Sequence, residues 1–247
     1  MDTREGQMDL ESHSDQTLTH LDNGIKNLTI SNNKDKLLEE PLNKNGDLDP
    51  ITFRFNQLAS TFTEHLKAQN YGKIEEIIAE IRKVTSTDNP PVEQLVNTGI
   101  IPDVISFLDP KFYECQNLLQ ECSWIICNVS SGTSEHVEFL ISLGAIPKVL
   151  QLLSYPNQSV FDSAIWTLAN IAGTTLTFRD LLIDNDIVNK LLIILDGNFF
   201  SPSLLVQVSW LVSNLCRGRP YPPPDKVTHN SFILSFLKMN RFDLYFK

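Results

Sequence analysis

The run Ser123-Trp124-Ile125-Ile126-Cys127-Asn128-Val129-Ser130-Ser131-Gly132 returns as Ile165-Trp166-Thr167-Leu168-Ala169-Asn170-Ile171-Ala172-Gly173. It returns again as Ser209-Trp210-Leu211-Val212-Ser213-Asn214-Leu215-Cys216-Arg217-Gly218. The tryptophans are 42 and 44 residues apart. About twenty residues before each run lies a second recurring unit. Gly99-Ile100-Ile101-Pro102-Asp103-Val104 is matched by Gly144-Ala145-Ile146-Pro147-Lys148-Val149, and more weakly by Asp186-Ile187-Val188-Asn189-Lys190-Leu191. Glycine suits a tight corner between helices, and proline suits the first turn of the helix that follows.

A period of about 40–47 residues with several short helices per unit is the armadillo/HEAT range. The fold class is therefore all-α, a right-handed armadillo solenoid. Apolar periodicity divides each repeat into three helices. They are expected at 92–98, 101–108 and 114–131, then 135–142, 146–153 and 160–172, then 178–184, 187–195 and 204–216. Residues 51–89 read as a divergent first repeat and N-terminal cap, and 90–224 as repeats two to four. Residues 225–247 read as a partial fifth repeat or C-terminal cap. Residues 1–50 carry 5 basic and 11 acidic side chains, more than half of the net charge of −10, and contain no aromatic residue. They read as a disordered acidic segment.

Each copy places Trp at i and Asn at i+4, one turn apart on one helix face. Tryptophan alone is ordinary core material. Asparagine is a poor helix former and costs energy if buried without a partner. Equivalent helices of a solenoid stack side by side, so three pairs make a ladder. Indole faces attract Lys and Arg by cation–π contact and line their aliphatic stems. Asn amides hold extended backbone. The ladder therefore suits an extended basic peptide, and the acidic balance agrees in sign.

These residues make the stretch from about Pro90 to Pro224 similar to importin-α (karyopherin-α), the armadillo adaptor that recognises nuclear localisation signals. The resemblance implies that Trp124/Asn128, Trp166/Asn170 and Trp210/Asn214 form a concave cargo groove. It places Gly132 beside the signal's key lysine. Asp162 and Gln207 fall on the same faces, one turn before their tryptophans, and add polar groups. Thr174 stands where the family has the Asp that pairs with the key lysine, Val137 where it has Thr, and Ser163 where it has Gln. Glu121, Glu135 and Asp162 are the acids placed to compensate. The implied partners are basic localisation signals of cargo proteins and importin-β. The family's Arg/Lys-rich importin-β-binding segment finds no clear counterpart in residues 1–50. The chain is expected to be a shortened relative, ending after about the fourth repeat.

Other classes are poorly served. The acidic charge argues against nucleic acid. No Ser/His/Asp elbow, phosphate loop or zinc motif is present, so neither an enzyme nor a cofactor is expected. Residues 197–216 are too polar to span a bilayer, and no secretory signal is visible. Cys115, Cys122, Cys127 and Cys216 lack metal-ligand spacing and read as reduced thiols. Cytoplasm and nucleus are the expected compartments. The alternative is an armadillo scaffold or decoy that binds basic peptides without recruiting importin-β.

Overall fold

The computed structural model describes residues 49–196 and 202–222. The expected disordered segment up to residue 48 and the expected C-terminal cap at 225–247 lie outside the described residues. Every regular element among the described residues is helical. The helices are α1 (Pro50–Lys67), α2 (Tyr71–Thr85), α3 (Val92–Asn97), α4 (Ile101–Ser106), α5 (Gln116–Ser130) and α6 (Ser134–Ser142). They continue as α7 (Ala145–Leu152), α8 (Gln158–Thr174), α9 (Leu176–Asp184), α10 (Ile187–Asp196) and α11 (Pro202–Cys216).

Local chemistry sets the helix starts. Asp49 accepts from the Thr52 amide, and Pro50 opens α1. Asn70, Asn157 and Thr175 cap α2, α8 and α9 in the same way. Each satisfies an amide that the first turn leaves without a partner. The corner before the second helix of a repeat needs positive φ. Gly99 and Gly144 adopt it at 78° and 73°. Asp186 takes the corresponding place in the weaker copy with φ 67°, a conformation that Asp tolerates better than most side chains.

The long helix that closes each repeat packs on its equivalent in the next, in the order α2, α5, α8, α11. Their inward faces bury Ile74, Ile78 and Ile81, then Leu118, Ile125 and Val129, then Ile165, Leu168 and Ile171, then Leu211 and Leu215. The shorter helices cover the other side of this row. At its start, Phe62, Phe107, Phe112 and Tyr71 form a cluster of edge-to-face rings that joins α1 and α2 to the second repeat.

Polar side chains join the repeats at a separation of about one period. Tyr155 donates to the Tyr113 carbonyl at 2.8 Å, and Asn117 donates to Glu75 at 3.0 Å. Lys148 pairs with Asp109. His136 accepts the Thr133 amide at Nδ1, so Nε2 carries the proton and meets Glu93 at 2.8 Å. Arg179 on α9 is only 1% exposed. Its guanidinium pairs with Asp180 and donates to the carbonyls of Arg217 and Pro220. That fixes the chain where it leaves α11.

Arg179→Met removes these bonds and leaves carbonyls without a donor. The expected loss is about 3 kcal/mol, read as a lower midpoint in urea denaturation. An unchanged midpoint contradicts the assignment.

Candidate peptide-binding face

The row α5, α8, α11 carries the three tryptophans on its open side. Trp124, Trp166 and Trp210 are 40%, 38% and 53% exposed. Burial energetics alone would draw indoles inward, so these three are surface groups held in register by the helices beneath them.

The asparagines are placed otherwise than the spacing implied. Each amide nitrogen has a partner within the protein, on the preceding long helix. Asn128 donates to Thr85 Oγ1 at 3.1 Å and to the Thr85 carbonyl at 3.3 Å. Asn170 donates to Ser130 Oγ at 3.0 Å. Asn214 donates to the Ala169 carbonyl at 2.9 Å. The change of acceptor has a reason in the sequence. Ser130 lies two residues after Asn128, and the residue two after Asn170 is Ala172, which has no hydroxyl. Asn214 turns to a backbone carbonyl instead. Asn128 and Asn170 stay partly exposed, while Asn214 is buried.

Gly132 is exposed at the end of α5, and a Cβ there would come within 2.5 Å of His136 Nδ1. It must be glycine for His136 to cap α6. Gly173 is similarly tight, since a Cβ would lie 3.0 Å from Asn214 Nδ2. Asp162 is partly exposed and accepts from Gln158 at 2.7 Å. Ser163 is buried and donates to the Ser159 carbonyl at 2.9 Å. Gln207 is buried too, and its Oε1 has no hydrogen-bond partner. Ser163 and Gln207 therefore lie beneath the open face. Thr174 is partly exposed and donates to the Asn170 carbonyl at 2.8 Å.

The compensating acids are mostly committed. Glu121 pairs with Arg82 across α2 and α5. Hydrogen bonding from Thr133 holds the Glu135 carboxyl below its usual range, at the start of α6. Val137 is buried in the core. The sequence pattern contained Arg217 without giving it a role. Its Nη2 donates to the Gly173 carbonyl at 2.6 Å, and it directly follows the last residue of α11.

The thiols are free. Burial pushes the Cys127 thiol up to about 11 and raises Cys122 well above its ordinary value, which disfavours the reactive thiolate at both. Among the described residues no cluster of His, Cys, Asp and Glu is arranged to hold a metal ion. No described helix is long and apolar enough to cross a membrane.

The armadillo/beta-catenin-like repeat family matches residues 133–173. The fold is shared with a designed armadillo repeat protein in complex with the peptide (KR)4. That match has a TM-score of 0.60 at 21% identity, over 82% of this chain and 88% of that one. The chain thus has the armadillo-repeat fold. Importin subunit alpha-1b of Oryza sativa subsp. japonica is 35% identical over 153 residues, covering 62% of this chain and 28% of that protein. Importin subunit alpha-2 of Arabidopsis thaliana gives the same figures. Probable importin subunit alpha-A of Dictyostelium discoideum is 30% identical over 161 residues, covering 59% and 28%. Over about 60% of its length the chain is similar to importin subunit alpha, and it spans under a third of the length of these relatives.

The bond from Asn170 to Ser130 contributes about 1 kcal/mol. Asn170→Ala and Ser130→Ala should each lower the denaturation midpoint, and the double variant should lose less than the sum of the two. Strict additivity in the double-mutant cycle would show that the two side chains are uncoupled.

Proposed function

We propose that this chain is a nuclear import adaptor that binds Lys/Arg-rich localisation signals of cargo proteins along the Trp/Asn face. The observation that carries the reading is the exposure of all three indoles at repeat spacing on one row of helices. Exposed indoles one repeat apart offer successive cation–π surfaces, each worth about 0.5–2 kcal/mol. The Asn128 and Asn170 amide nitrogens donate within the protein, and their side-chain oxygens are the acceptors offered to a peptide backbone. The net charge of −10 favours encounter with basic peptides. The importin-α relatives and the designed armadillo protein that holds a Lys/Arg peptide support the same reading.

The peptide face comprises Trp124, Asn128, Gly132, Asp162, Trp166, Asn170, Thr174 and Trp210, with Ser163, Gln207 and Asn214 supporting it from below. No catalytic step and no cofactor are part of this function. Its place is traffic between cytoplasm and nucleus. The second reading is a scaffold that binds basic peptides without recruiting importin-β. It is favoured by one feature, the scatter of 5 basic residues among 11 acids in residues 1–50. A pull-down with importin-β separates the two.

A fluorescent Lys/Arg-rich peptide at physiological salt should bind saturably by anisotropy. Trp166→Ala should weaken it about tenfold, and replacing the peptide's lysines by alanine should abolish binding. A folded sample that does not bind the peptide contradicts the proposal.

A further inference from the structure

Between the end of α8 and the end of α11 lies a small cavity of about 190 Å³. Gly173, Thr174, Leu176, Asn214 and Arg217 line it, and no carboxylate is among the lining residues. The end of a helix carries partial negative charge from its unpaired carbonyls and ordinarily draws a cation. Here the protein supplies that cation itself, because Arg217 donates to the Gly173 carbonyl at 2.6 Å. The Thr174 hydroxyl gives its proton to the Asn170 carbonyl, and the Asn214 amide donates to Ala169. Neither adds negative charge.

Resting on the peptide-binding reading, we infer that this cavity selects an acidic side chain, Asp or Glu, at one position of an otherwise basic peptide. The ligand is therefore mixed in charge: cationic over the indoles and anionic over Arg217. Arg217 is exposed, and its guanidinium has five donors, of which the carbonyl of Gly173 takes one. The remaining donors form a fork suited to a carboxylate. A lysine entering the same space would meet a like charge, and the helix carbonyl that could receive it already has a donor. The exposed side chain of Leu176 forms an apolar wall that suits the short stem of Asp or Glu.

The test walks a single Lys→Glu replacement through a Lys/Arg-rich peptide and measures the affinity of the full chain for each member by anisotropy. One position is expected to favour Glu over Lys by about tenfold. Arg217→Gln should erase that preference without changing the order at other positions. Arg217→Lys should retain part of it, and circular dichroism checks that both variants fold. Thr174→Asp combined with Arg217→Gln should turn the preference toward lysine. Lysine favoured at every position overturns the inference while leaving the peptide-binding reading intact. A Glu preference that survives Arg217→Gln overturns it as well. Failure of every peptide to bind a folded sample overturns both readings together.

Discussion

The side-chain amide of an asparagine, reaching back to the preceding long helix, is the contact around which this structure is organised. It occurs at Asn128, Asn170 and Asn214 and spans 43, 40 and 45 residues. A solenoid has no contacts between distant repeats, so its shape is the sum of its neighbour-to-neighbour joints. Apolar packing supplies most of the free energy of each joint but is non-directional. A hydrogen bond adds direction, because its acceptor must lie near 3 Å on a defined line. The asparagine fixes how far one long helix slides along the next.

The indoles inherit that registration. Trp124, Trp166 and Trp210 each stand one turn before an asparagine, so whatever sets the asparagine's partner also sets the indole's place. The face they make has little free charge of its own. Arg82 and Glu121 neutralise one another, and Asp162 is held by Gln158. Arg217 is the departure, since it faces a helix end and leaves most of its donors unused. The open row thus changes character along its length, from paired charges beside Trp124 to an uncompensated cation beyond Trp210.

Much of this was legible in the residues. Recurrence at 42 and 44 residues identified the armadillo fold, and most helix ends fell within two residues of their expected positions, because Gly, Pro and capping residues mark them. The exposure of the indoles followed from their pairing with asparagine. The interior role of that asparagine did not follow, since it depends on Thr85, Ser130 and Ala169, a full repeat away. The burial of Ser163 and Gln207 was hidden for a related reason. Helical spacing places them near the face, but whether a side chain stands on the surface or below it depends on how closely the next helix approaches. Arg179, to which the sequence reading gave no role, is a buried tie to the carbonyls of residues 217 and 220. Asp186 in a conformation that glycine fills elsewhere was a backbone property that its residue type did not announce.

The chain contains three tryptophans, so the indole N–H region of its proton–nitrogen spectrum holds three side-chain signals, assignable by single replacements. Titrating isotope-labelled protein with a Lys/Arg-rich peptide tests the central claim directly. The account predicts that the signals of Trp124, Trp166 and Trp210 all shift together and saturate at one peptide per chain. It is contradicted if the peptide binds and perturbs backbone amides elsewhere while the three indole signals stay where they are.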